Sequence, residues 1–217
     1  MSPTQSDPPE APYDCRACPR LATYIDEVRG REPAWFNGPV PSFGSDNAEL
    51  LIVGLAPGVT GANRTGRPFT GDYAGDLLYG TLSKFGWASG TYDARPDDGL
   101  KLTRAMITNA VRCVPPENKP VGAEINECRK FLIARIDALP RLKVILALGK
   151  IAHDSTVRAL GGKLKDHKFG HAAHHTFDQV ALFDSYHCSR YNTNTRRLTT
   201  EMFEDVFRLI DRELGRA

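Results

Sequence analysis

No stretch of about 18 consecutive apolar residues occurs in the 217-residue chain, which excludes a membrane-spanning helix. The first twelve residues have neither the basic start nor the apolar run of a secretory signal, so none is expected. Surplus charge is also lacking. The 28 Lys and Arg against 26 Asp and Glu leave +2, too near neutral to name a partner. No Gly-Lys-Ser/Thr occurs and no G-x-G-x-x-G follows a predicted strand, so nucleoside triphosphates and NAD are poor ligands for this chain. The five cysteines are an odd number in a chain expected to be cytoplasmic. A disulfide framework is therefore not expected, and metal binding is the better reading.

The length suits one domain, whose folding buries roughly 70% of the unfolded surface without a staple. Residues 1–12, with Pro3, Pro8, Pro9 and Pro12 among small polar residues, read as a disordered tail, and residues 13–217 as a single domain. Apolar runs bounded by turn residues predict buried parallel strands at Leu50–Val53, Ala105–Val111, Val144–Leu148 and Val180–Phe183. Helices are predicted from Pro19 to about Arg29, from Asp72 to Phe85, from Ala123 to Leu139, from Lys150 to Leu160 and from about Thr199 to Leu214; Gly30–Asn47 reads as loop. The alternation implies a three-layer α/β/α sandwich around a central four-stranded, mostly parallel sheet. Ligands in such folds sit at the carboxyl ends of the strands, here Gly54–Gly58, Asn109–Cys113, Gly149 and Ser185–His187. No heptad stripe appears, and a monomer is expected.

Cys15 and Cys18 form a C-x2-C pair, Cys113 follows a predicted strand, and Cys128 lies fifteen positions further on, in a helix. Four thiolates so arranged can surround a tetrahedral metal or a cubane cluster, and spacing alone does not separate zinc from [4Fe–4S]. Cys188 is left over and reads as a packing residue. Gly54-Leu-Ala-Pro-Gly58 and the loop Asn63 to Asp72 supply backbone amides that can hold an anion or a carbonyl oxygen. Asp72 suits a helix N-cap, Phe69 either core or a stacking platform, and Asn109 an amide that both donates to and accepts from a base edge. His187-Cys-Ser-Arg-Tyr-Asn-Thr-Asn-Thr-Arg-Arg197 suits either a loop that touches DNA or a polar turn. Between Arg141 and Thr200 ten basic residues face four acidic ones, and five of the six histidines lie between His167 and His187, which gives slight support to a polyanionic partner.

Taken together, these segments resemble the uracil-DNA glycosylase superfamily, and most of all its iron–sulfur type B branch, family 5. The resemblance runs from about residue 13 to 210 and is carried by the four cysteines, Gly54–Gly58, Asn63–Asp72, Arg112–Pro120 and His187–Asn192. It implies an enzyme that flips uracil, and other deaminated bases such as hypoxanthine or xanthine in some members, out of DNA and hydrolyses the N-glycosidic bond. It implies a structural [4Fe–4S] cluster on Cys15, Cys18, Cys113 and Cys128. Family 1 and family 4 enzymes carry an acid in the first motif, where this chain has Leu55, Ala56 and Gly58. That absence moves the catalytic role to Asp72. The resemblance further implies that His187 serves the leaving group and that Leu55, Ala56, Gly58, Phe69 and Asn109 bind the base. Asn109 is a departure, since type B enzymes often have a small residue there while families 1 and 4 have Asn for uracil recognition, and it is expected to narrow the base preference. Ser189, Arg190, Tyr191 and Asn192 would enter the groove, with Arg64, Arg196 and Arg197 near phosphates. An iron–sulfur DNA-binding or redox protein without glycosylase activity is the alternative.

Overall fold

The computed structural model describes residues 8–216. Its elements in chain order are α1 (Pro19–Arg31), β1 (Phe43–Gly44), β2 (Leu50–Gly54), α2 (Ala62–Thr65), α3 (Tyr73–Lys84), β3 (Ala88–Ser89), β4 (Lys101–Leu102), β5 (Ala105–Asn109), α4 (Gly122–Asp137), β6 (Val144–Leu148), α5 (Lys150–Ala159), β7 (His174–Phe177), β8 (Val180–Ser185), α6 (Arg190–Asn194) and α7 (Thr200–Glu213). A parallel core β5-β2-β6-β8 is extended at each edge by a short antiparallel strand, giving the order β1-β5-β2-β6-β8-β7. The sheet therefore has six strands where four were expected, and Gly30–Asn47 contains β1. Both missed strands are edges. β1 is two residues long, and β7 carries a histidine-rich, half-exposed sequence without an apolar run. The small β3–β4 pair was also unannounced.

Apolar side chains alternate across the sheet. Leu50, Ile52, Ile107, Leu146 and Phe183 pack with Leu78 and Leu82 of α3 and with Phe203, Val206, Phe207 and Ile210 of α7. Leu51, Val53, Met106, Ile145 and Leu182 pack with Leu132 of α4 and with Ala152 and Val157 of α5. Each such side chain contributes about 1.5–3 kcal/mol when fully buried. Burial on both faces is what makes the core strands read as unbroken apolar runs. Among the described residues no helix is long and apolar enough to cross a membrane.

The segment expected to be a tail is partly docked. Residues 1–7 lie outside the described residues, but Glu10 pairs with Arg112 at 2.8 Å and with Arg135 at 2.5 Å. The guanidinium of Arg112 is buried, and a buried charge demands a partner. The proline-rich composition that suggested disorder instead delivers that carboxylate. The histidines from His167 to His175 are half-buried apart from the exposed His174, and two of them pack near the buried His153. His153 Nδ1 lies 2.8 Å from Asp184, His175 lies 3.4 Å from the same carboxylate, and His167 packs on Phe177. These side chains fasten the β7–β8 edge to α5.

Candidate active site

In the parallel core β2 comes first in the chain, and its neighbours β5 and β6 follow on opposite sides. The strand order reverses there, the position at which a crevice opens in sheets of this type. A cleft of about 700 Å³ lies at these strand ends, lined by Leu55, Ala56, Gly58, Val59, Thr60, Gly61, Gly71, Asp72, Tyr73, Ala74, Asn118, His187, Ser189 and Arg190. A recess of about 30 Å³ adjoins it, lined by Ala56, Gly58, Ala62, Phe69, Asp72, Ala74, Asn109 and His187. All seven residues expected to form the catalytic and base-binding set line one or both.

Asp72 has two roles, one for each oxygen. It caps α3, and Oδ1 accepts from the amides of Ala74 at 3.1 Å and Gly75 at 3.3 Å. Oδ2 faces the turn after β2, where a Cβ on Gly58 would stand 3.4 Å from it and one on Gly61 only 2.5 Å. Glycine at position 61 is thus required by the approach of the carboxylate. Burial pushes the Asp72 carboxyl up, and the two capping amides offset only part of that. The backbone N–H groups of Ala56 and Gly58 have no partner among the described residues and remain available to an acceptor in the cleft.

Asn109 ends β5 opposite Gly54 of β2. It is 3% exposed, and its amide has no hydrogen-bond partner among the described residues. An unpaired amide in the wall of the recess is free to donate to and accept from a ligand there. Gly54 makes the recess possible: a Cβ there would stand 2.3 Å from Asn109 Oδ1 and 2.6 Å from Phe69 Cζ. Phe69 is buried and stacks on the His187 ring at a centroid distance of 5.8 Å. His187 lies two residues past β8, and neither ring nitrogen has a partner among the described residues. Burial pushes its pKa down to about 4, so the imidazole is neutral near pH 7. A neutral ring can donate a hydrogen bond without first losing a charge.

Cleft and recess therefore bring together a carboxylate, a neutral imidazole, a free amide, an aromatic face and unpaired backbone donors. Such a set can hold a planar polar ring and stabilise charges of both signs. The profile of the uracil DNA glycosylase superfamily matches residues 41–210. The chain belongs to that superfamily. It is 44% identical over 199 residues to a type-5 uracil-DNA glycosylase of Thermus thermophilus, a match covering 88% of this chain and 90% of the relative. It is 36% identical over 206 residues to a type-5 uracil-DNA glycosylase of Pyrobaculum aerophilum, covering 93% and 90%. A type-4 uracil-DNA glycosylase of Sulfurisphaera tokodaii is 29% identical over 180 residues, covering 77% of this chain and 72% of the relative.

The rim residues divide. Arg64 is exposed, and its Nε donates to the carbonyl of Thr60 on the cleft wall at 2.8 Å. Ser189 and Arg190 line the cleft, with Arg190 over the Tyr73 ring at 5.3 Å. Tyr191 is 72% exposed. Arg196 lines a second depression that shares Tyr73, and Arg197 sits over Tyr186 at 4.7 Å. Asn192 is half-buried, and its side-chain amide donates to the His187 carbonyl at 2.8 Å, which braces the backbone of the histidine. Asn118 is a lining residue the sequence reading missed. It follows Glu117 in a proline-bounded turn where both residues have positive φ, 56° and 55°, and a polar residue so held past a strand end was the available signal.

Cys15, Cys18, Cys113 and Cys128 border one small pocket with Leu21, Phe131 and Arg112, on the side of the sheet that carries α1 and α4. All five cysteines are free thiols. The amide of Arg112 donates to Cys128 Sγ at 3.3 Å. Burial and mutual repulsion push the thiols of Cys18, Cys113 and Cys128 up, Cys18 to about 11. Cys188 is fully buried in the core, as a packing residue would be.

Proposed function

We propose that this chain is a monofunctional DNA glycosylase that flips uracil out of DNA and hydrolyses its N-glycosidic bond. The observation that carries the reading is the position of Asp72 Oδ2. No acid occurs among Leu55, Ala56 and Gly58, yet a carboxylate oxygen reaches the same turn from the start of α3. Bond cleavage places positive charge on the sugar and negative charge on the departing base, by analogy with glycoside hydrolysis. Asp72 faces the sugar, stabilising the cation or orienting the water whose oxygen bonds to C1′. His187 donates to uracil O2, and the amides of Ala56 and Gly58 support the same developing anion.

Phe69 carries the face of the base and Asn109 reads its edge. Both line the recess that adjoins the cleft at the strand ends. Ser189, Arg190 and Tyr191 meet the strand around the extruded nucleotide, and Arg64, Arg196 and Arg197 lie near phosphates. The enzyme acts as a monomer in the cytoplasm. A labelled duplex with one uracil tests the reading: free uracil and an alkali-labile abasic site are expected, and binding without uracil release overturns it.

The four cysteines fit a [4Fe–4S] cluster. Their thiols border one apolar pocket and carry no competing disulfide, so all four are available as ligands. Bound there, the cluster ties the N-terminal segment to β5 and α4. It has no part in the chemical step, because the residues of that step lie in the strand-end cleft. Protein purified without oxygen is expected to be brown and to contain about four irons per chain. Cys113→Ala is expected to lose solubility along with the colour. Colourless, soluble protein with one zinc per chain overturns this assignment.

A further inference from the structure

Arg67 belongs to the loop that delivers Phe69 and Asp72, yet it lines neither cleft nor recess. Its guanidinium is buried and forms a two-pronged pair with Asp98, at 2.8 Å from Nη1 and 2.7 Å from Nη2. Nε donates to Thr70 Oγ1 at 2.7 Å. Three rings surround the cation, with Cζ 5.1 Å from the centroid of Phe43, 5.4 Å from Tyr79 and 5.8 Å from Tyr92. Asp98 is in turn fixed by the amides of Asp93 and Leu100, each at 3.0 Å.

Two of those rings also hold the backbone on either side of the Pro68–Phe69 bond. Tyr79 donates to the Pro68 carbonyl at 2.6 Å, and Tyr92 donates to the Phe69 carbonyl at 3.2 Å. The same carbonyl presses on α3, where a Cβ on Gly75 would stand 1.9 Å from it. Phe69 needs such restraint because its φ is +53°, a left-handed conformation unfavourable for a bulky residue. Such conformations persist only where their surroundings over-determine them.

We propose that the Arg67–Asp98 pair, with Tyr92, is a positioning device that locks Phe69 as the stacking platform for the base. Asp98 is far from the chemistry in sequence and touches no cleft residue, so it acts only through Arg67 and the rings around it. The inference rests on the reading that Phe69 carries the base, and the test separates the two.

Asp98→Asn keeps the shape and removes the charge, and Tyr92→Phe removes only the hydroxyl on the Phe69 carbonyl. Each is made alone and in a Phe69→Ala background. Single-turnover rates at saturating enzyme, affinity for the uracil duplex and inhibition by free uracil are measured. Phe69→Ala alone is expected to slow cleavage by about tenfold. Asp98→Asn is expected to slow it by about as much with duplex affinity unchanged, and to weaken inhibition by uracil. In the Phe69→Ala background its further effect is expected to be under about twofold, because residues that act through one another are not additive. Tyr92→Phe should repeat the pattern at about threefold, and it decides the matter if Asp98→Asn does not fold. Equal losses in both backgrounds overturn the positioning role alone. Normal cleavage by Phe69→Ala overturns the stacking role and the device with it.

Discussion

Asp72→Asn is expected to lower the single-turnover rate of uracil release by ~10²–10³ while leaving the protein folded. The asparagine oxygen can still accept from the amides of Ala74 and Gly75, so α3 keeps its cap. Complete loss of an N-cap costs only ~1 kcal/mol of stability in any event. What disappears is the charge that faces the developing cation. The pH dependence follows from the same residue. Asp72 must be ionised to act, and burial raises its pKa from the ordinary value. The rate therefore falls as pH drops through that raised value, and Asp72→Asn abolishes this acid limb. An acid limb that persists unchanged in Asp72→Asn contradicts the assignment, as does near-normal cleavage by the variant.

His187→Ala is expected to fold normally, keep its cluster and bind uracil duplex nearly as well, yet cleave at least about tenfold more slowly. A donor aimed at an atom that becomes anionic is stronger in the transition state than in the ground state. The loss should shrink for 5-fluorouracil, whose lower basicity makes it leave with less help. Equal losses for both leaving groups, or a loss explained by weaker DNA binding, would assign His187 to holding its loop. Asn192 supplies a related control, because its amide supports the His187 carbonyl and not the ring.

The central sheet was legible because its strands are buried on both faces, so Leu50–Val53 and Val144–Leu148 appear as unbroken apolar runs. The edges were not. β1 is a two-residue strand whose Gly44 has φ of 138°, where a Cβ would stand 2.3 Å from the Ala105 carbonyl, and such a contact leaves no hydrophobic pattern. Site residues were legible where strand ends are, since the fold delivers Asn109 and His187 to one place. The bond from Asn192 to the His187 carbonyl was not legible, because a small polar residue in a loop suits a backbone carbonyl as well as it suits DNA. Arg67 passed unnoticed because its burial depends on Asp98, 31 positions away, and no local pattern reports such a pair. Glu10 was lost in the proline-rich start for the same reason, since its partners Arg112 and Arg135 lie far along the chain.

The most direct measurement is a crystal structure of the Asp72→Asn variant bound to a duplex containing one uracil. The uracil should be out of the stack, with one face on Phe69, its edge on the Asn109 amide and O2 within hydrogen-bond reach of His187. C1′ should lie beside residue 72. A uracil still paired in the duplex, or extruded to a place away from Phe69 and Asn109, would contradict the account.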